Sequence, residues 1–206
     1  MIRLGIVDCG ISNVASVHNA FSFLGVESRL IREPKGLRDC SHVVLPGDGA
    51  FPDGMRRLSR SGLDEAIIAG VHGGKPLLGI CLGMQLMAEE GDEFQLTRGL
   101  GLTAGRVTQI EPNDQAIPIP QVGWNEVSFL RVSPLTKGFA GRASFYFMHS
   151  FAFCDVNASV VAAICDYGGP VVSIIEQGLV FGVQFHPEKS QRAGLRLLKN
   201  FSELEC

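Results

Sequence analysis

The sequence predicts an α/β fold built on a parallel central sheet, and three observations carry that expectation. Through the first eighty residues, short apolar runs alternate with helix-periodic segments, the order that places parallel strands centrally with helices on both faces. After Gly99 the pattern becomes strand after strand with short turns, which predicts a mainly antiparallel portion in the C-terminal half. A hydrophobic content of 46% with 25 glycines, spread over 206 residues, suits a large buried sheet with many tight turns.

Taken in order, Leu4-Gly5-Ile6-Val7 reads as the first strand, Val14 to Leu24 as a helix, Ser28 to Ile31 as a strand and Val43-Val44-Leu45 as another. Leu63 to Val71 reads as a helix, Pro76 to Ile80 as a buried strand, and Met84 to Glu90 as helix-like. The strand-like segments that follow are Arg106 to Ile110, Glu126 to Phe129, Ser144 to Phe147, Val160 to Ile164, Val171 to Glu176 and Val180 to Phe185. Gln177-Gly178 marks a hairpin turn between the last two, and Arg192 to Phe201 closes the chain as a helix. With no repeat and no low-complexity linker, one domain over residues 1–206 is the expected organisation.

Composition excludes several classes of function. A formal net charge of −3, with only scattered basic pairs such as Arg56-Arg57, gives no footprint for nucleic acid. No apolar stretch approaches the ~18 residues of a membrane span, and Ile2 to Val7 reads as a buried strand and not as a signal peptide. Cys9, Cys40, Cys154, Cys165 and Cys206 share no metal-like spacing and read as reduced bystanders, which suits the cytoplasm.

Cys81 is different. It lies in Gly79-Ile80-Cys81-Leu82-Gly83, where a buried strand turns into a helix. A residue on such a turn is pushed out at the carboxyl edge of the sheet, where ligands of parallel sheets bind. The first N–H groups of the helix favour a thiolate there, and the Leu82 N–H is placed to bind an oxyanion. A nucleophilic cysteine needs a base, and His186 is the best candidate. His18, in a helical pattern, His42, opening a strand, and His72, in a Gly-rich turn, read as surface or element-end residues. His186 closes the apolar strand Val180 to Phe185, and the following Pro187 keeps it extended. Glu188, two residues on, falls on the same side and would orient the imidazole.

Gly79-Ile80-Cys81-Leu82-Gly83-Met84-Gln85 together with Phe185-His186-Pro187-Glu188-Lys189-Ser190 resembles the class I (triad) glutamine amidotransferases. Within that family, Leu45-Pro46-Gly47-Asp48-Gly49-Ala50-Phe51, Gly123-Trp124-Asn125 and Tyr146-Phe147-Met148-His149-Ser150 look like the branch formed by the glutaminase subunits of imidazole glycerol phosphate synthases. The likeness covers essentially the whole chain and implies the flavodoxin-like fold of that family. It implies that Cys81 attacks the side-chain amide of glutamine, that His186 passes a proton to the departing ammonia, and that Glu188 orients His186. Gly47, Asp48 and Gly49 match the oxyanion segment, which acts with Leu82. Gly49, Gln85, Glu93, Tyr146, His149 and Ser150 match positions that hold glutamine, although Glu89 to Glu93 also reads as an ordinary solvated charge run. No cofactor and no metal are implied.

Free ammonia is largely protonated near neutral pH and diffuses away, so a glutaminase serving a synthesis releases it into a second active site. The resemblance accordingly implies a heterodimer with a (β/α)8 cyclase subunit. Asn13, Trp124 and Lys189 match positions at that interface. Trp124, the sole tryptophan, reads equally as a rigid interface anchor or as core packing.

The departures from the family pattern gather on the partner side. Cys9-Gly10-Ile11-Ser12-Asn13 stands where Tyr-Gly-x-Gly-Asn is usual, Gln121-Val122 where His-Met is common, and Asp48 where valine is common. A carboxylate pointing into an oxyanion site is unhelpful, so Asp48 is expected to face away or toward the partner. The departures leave the acceptor open: a paralogous subunit feeding another synthase, such as a sugar amidotransferase of surface-polysaccharide biosynthesis, would carry them. Two further readings stand beside it. One is a stand-alone γ-glutamyl hydrolase or peptidase on the same nucleophile turn. The other is a silent binding subunit, which the intact Cys81, His186 and Glu188 argue against.

Overall fold

The computed structural model describes residues 3–10 and 12–205; Met1, Ile2, Ile11 and the bystander Cys206 lie outside the described residues. In chain order the elements are β1 (Leu4–Val7), α1 (Val14–Phe23), β2 (Ser28–Ile31), β3 (His42–Gly47), α2 (Phe51–Ser61), α3 (Leu63–His72), β4 (Leu77–Cys81) and α4 (Leu82–Gln85). They continue as β5 (Glu90–Glu93), β6 (Gln95–Arg98), β7 (Arg106–Gln109), β8 (Gln121–Phe129), β9 (Arg142–His149), β10 (Phe151–Cys154), β11 (Val161–Asp166), β12 (Pro170–Gln177), β13 (Val180–Val183) and α5 (Gln191–Ser202).

Among the described residues, nine strands form one sheet in the order β2-β1-β3-β4-β13-β12-β11-β8-β9. Every pairing from β2 to β13 is parallel, and every pairing from β13 to β9 is antiparallel. β13 is therefore the hinge between the two halves. A smaller sheet, β10-β7-β5-β6, stands apart from it.

The parallel strands are buried on both sides, and their alternation divides the core in two. Leu4, Ile6, Val44, Leu78 and Ile80 point into one cluster with Val17 and Phe21 of α1 and Leu197 and Phe201 of α5. Val7, Val43, Leu45 and Leu77 point into the other with Leu58 of α2 and Leu63 and Ile67 of α3. Helix ends follow local chemistry. Asn13 caps α1 by accepting from the Ser16 N–H, and α2 begins with Pro52 in its first turn and ends at Gly62 in the left-handed conformation. No helix among the described residues is long and apolar enough to cross a membrane.

Four local readings change. The helix expected from Met84 to Glu90 is the single turn α4, because the returning chain captures the carbonyls that would have continued it: Leu100 N–H donates to Leu86, Leu102 to Met87 and Gly101 to Ala88. Glu90–Glu93 is a strand paired with Gln95–Arg98, not merely a charge run. His42 does open β3, but it is buried; Nε2 meets the Leu204 carbonyl at 3.1 Å and the ring packs edge-on against Phe201. The turn between β12 and β13 falls on Gly178-Leu179, one residue later than expected.

Candidate active site

Cys81 ends β4 with φ 52° and ψ −112°, a left-handed conformation that costs a residue bearing a Cβ of order 1–3 kcal/mol. Close packing holds it there. A Cβ on Gly83 would lie 1.7 Å from the Leu45 carbonyl oxygen of β3, so α4 can begin only if that position is glycine. Gly47 is the register partner of Cys81, which sets the start of the Gly47–Gly49 segment beside the thiol. Cys81 is buried, 5% exposed. Cys81 Sγ donates to the Met148 carbonyl at 3.8 Å, and Gln184 Nε2 donates to the sulfur at 3.7 Å.

Because β13 runs parallel to β4 as its neighbour, the chain leaving β13 arrives at the same sheet edge as Cys81. The strand ends at Val183, short of the expected Phe185, and His186 caps a 3-10 turn over Pro187–Lys189. Three bonds seat this turn on β9. His186 N–H donates to the Tyr146 carbonyl at 2.8 Å, Tyr146 N–H donates to Ser190 Oγ at 3.0 Å, and Ser190 Oγ donates to the His186 carbonyl at 2.6 Å. Glu188 Oε1 accepts from His186 Nδ1 at 2.8 Å, with both side chains 5% exposed. That bond leaves Nε2 as the free ring nitrogen, buried and without a hydrogen bond. Burial alone would lower the His186 pKa, but the contacts with Cys81 and Glu188 outweigh it and raise it to about 10. The imidazolium is thus the favoured form.

A cleft of about 390 Å³ opens over Cys81, lined among others by Asp48, Gly49, Leu82, Gln85, Glu93, His149 and Ser150. Gln85 Nε2 donates to the Phe151 carbonyl at 2.7 Å and to Gln184 Oε1 at 3.1 Å. Glu93 Oε2 accepts the Phe51 N–H at 2.7 Å; burial raises its pKa. Gly49 has φ 105°, a conformation glycine adopts without a Cβ penalty, and Asp48 and Gly49 are both exposed.

Tyr146 is not among the residues that line this cleft. Tyr146 and His149 are three apart on β9, so they face opposite sides of the sheet. The Tyr146 ring instead meets Trp124 edge-on at 6.2 Å, with Lys189 Nζ 5.9 Å from its centroid. Trp124 is 49% exposed, so it is not core packing, and its strand neighbours Val122 and cross-strand Met148 are also exposed. Asn13 and Lys189 share a narrow recess with Gly47, Asp48, His186 and Glu188. Sequence reasoning missed Gln184, which touches both Cys81 and Gln85; its one signal is an uncharged polar residue inside the apolar run Val180 to Phe185.

His149 Nδ1 donates to the Phe151 carbonyl at 2.8 Å, and burial lowers the ring's pKa to about 4. Relative to the ordinary 6.5, the unfolded chain takes up that proton first, so the His149 contribution to stability is full above pH 6.5 and is lost as pH falls toward 4. His186 acts oppositely: its contribution is full below 6.5 and is lost as pH rises toward about 10. Urea unfolding of parent and His149→Gln should therefore show curves that converge by of order 3 kcal/mol between pH 6.5 and 4. A constant offset across that window would assign the acid sensitivity elsewhere.

The family profile described as glutamine amidotransferase class-I matches residues 5–204. The chain is 44% identical over 206 residues to the imidazole glycerol phosphate synthase subunit HisH of Symbiobacterium thermophilum, covering all of this chain and 96% of that protein. It is 42% identical over 207 residues to subunit HisH 2 of Nitrobacter winogradskyi, covering 98% of each. Among solved structures, a glutamine amidotransferase crystal structure superposes with a TM-score of 0.77 at 21% identity, covering 97% of each chain. The structure of PurLQS from Thermotoga maritima gives 0.76 at 19%, again covering 97% of each. A profile that spans the β1 to α5 framework, on which Cys81, His186 and Glu188 meet, makes this chain a member of the class I glutamine amidotransferase family.

Proposed function

We propose that the chain is the glutaminase subunit of an imidazole glycerol phosphate synthase, one catalytic domain that hydrolyses glutamine and passes ammonia to a (β/α)8 cyclase in a heterodimer. The observation that carries the chemistry is the 2.8 Å bond from His186 Nδ1 to Glu188 beside a strained Cys81. Full-length identity above 40% with proteins of that name supports the choice of acceptor.

In this reading Cys81 Sγ adds to the amide carbon of glutamine, and the oxyanion is met by N–H groups of Leu82 and of the Gly47–Gly49 segment, whose glycines let a peptide reorient cheaply. His186 Nε2 gives its proton to the departing nitrogen as the C–N bond breaks, which yields ammonia and a glutamyl thioester. The ring then takes a proton from water, which adds to the thioester and releases glutamate and the free thiol. Gly49, Gln85, Glu93, His149 and Ser150 supply polar partners for the charged end of glutamine. Free thiols at Cys40, Cys81, Cys154 and Cys165 fit a reducing cytoplasm.

The exposed Val122, Trp124 and Met148, with Lys189 beside them, form the partner surface. Lys189→Ala is expected to reduce the cyclase's stimulation of glutamate release several-fold while weakening assembly less. Equal stimulation in variant and parent would end that coupling role. The proposal itself is tested by glutamate release from glutamine, by the chain alone and with the cyclase subunit and its nucleotide substrate. Strong stimulation is expected; a rate that ignores the pair would move the acceptor to another synthase.

A further inference from the structure

Behind the cleft lies a buried amide relay to which the mechanism above gives no task. Gln184 is fully buried, and its backbone N–H is fixed by the Ser173 carbonyl at 3.0 Å. Its side chain spans two groups that arrive from different parts of the chain. Nε2 donates to Cys81 Sγ at 3.7 Å, and Oε1 accepts from Gln85 Nε2 at 3.1 Å. The second Gln85 N–H goes to the Phe151 carbonyl at 2.7 Å. Both donors of Gln85 are thereby spent inside the protein, and its Oε1, which accepts no bond among the described residues, is the end left for the cleft that Gln85 lines.

We infer that Gln184 is a positioning residue for glutaminase chemistry, with its N–H directed at the Cys81 sulfur and its carbonyl fixing Gln85 so that Gln85 offers substrate an acceptor. This rests on the proposed glutaminase reading. The amide can serve both ends because its two polar atoms are complementary. A neutral thiol gains little from an N–H donor, whereas a thiolate gains a charge-assisted bond, so the contact strengthens as the nucleophile ionises. When the sulfur is protonated, its proton has its own acceptor, the Met148 carbonyl at 3.8 Å. Sγ is thus bracketed by one group suited to each protonation state. At the other end, a Gln85 whose amide is fixed with oxygen outward favours an N–H of the substrate, and a flipped amide would repel it.

The two ends of the relay separate by experiment. The first readout is the pH dependence of Cys81 alkylation by iodoacetamide in the full chain, followed by mass spectrometry; the second is the KM for glutamine. Gln184→Met, close in shape but without donor or acceptor, is expected to slow alkylation at neutral pH about tenfold by moving its midpoint up about one pH unit, and to raise KM several-fold. Gln85→Met should raise KM and leave the midpoint at the parental value. Gln184→Glu keeps an oxygen for Gln85 but turns an anion toward the sulfur, so its midpoint should rise with KM near the parent; it decides the matter if the Met variant fails to fold. A folded Gln184 variant with an unmoved midpoint overturns the inference, since a packing role alone would leave thiol ionisation untouched. Alkylation does not depend on turnover. A failure here is therefore distinct from failure of the glutaminase reading, which would appear as no glutamate release from glutamine by the parent chain, alone or with the cyclase subunit and its nucleotide substrate.

Discussion

Replacing Cys81 by alanine is expected to lower glutamate release by ~10⁴-fold or more, because no other group near the cleft can form the thioester and the remaining machinery has nothing to activate. Folding and partner binding should survive, since the thiol is small and the Trp124 surface lies on other strands. Backbone strain offers an internal control. Cys81 pays for φ 52° whether its side chain is a thiol or a methyl group, so alanine should leave thermal stability close to the parent, whereas Cys81→Gly should raise it by about 1 kcal/mol. Measuring glutamate release beside thermal unfolding for both variants checks the two claims together. Normal ammonia production by the alanine variant would remove Cys81 as the nucleophile.

The second large effect is structural. Gly83→Ala would drive a Cβ to 1.7 Å from the Leu45 carbonyl oxygen, an approach that only movement of β3 or α4 can relieve. Neither yields easily: β3 lies between β1 and β4, and α4 is clamped by the chain returning through residues 99–103. A loss of about 4 kcal/mol or more is expected. Because β3 continues into Gly47–Gly49 and α4 starts at Leu82, any relaxation also separates the two halves of the proposed oxyanion site. If the protein folds, its activity should fall far more than its stability. Chemical denaturation with parallel kinetics would measure both, and a stable, active alanine variant would contradict the packing argument.

The parallel half of the fold was legible because its signals are local: β1, β2, β3 and β4 are short apolar runs, and α1 and α3 show helical periodicity between them. Cys81 and His186 were legible because glycines and a proline constrain the backbone around them. Elements whose cause lies elsewhere in the chain were not. α2 carries few apolar residues and went unread; its place comes from Phe51 and Leu58 packing into the core beneath it. β5 looks like solvated acids until β6 and β7 supply its partners. Tyr146 was grouped with the glutamine-holding residues by motif, yet the two-residue period of a strand separates it from His149, a rule the sequence alone could have applied. Gln184 left only a faint mark, since its importance lies in two contacts from distant segments.

The order of the strands also bears on how the protein is made. Cys81 and Gln184, in contact through the sulfur, are 103 positions apart, and β13 is the last strand to be synthesised although it lies beside β4 in the middle of the sheet. On the proposed mechanism, a chain emerging from the ribosome N-terminus first therefore presents its thiol long before it owns the histidine that would activate it. Any nascent or truncated product that stops short of His186 is a cysteine without a base. On that mechanism glutamine would be spared from hydrolysis by unfinished chains, and activity would wait for β13 to take its place in the sheet.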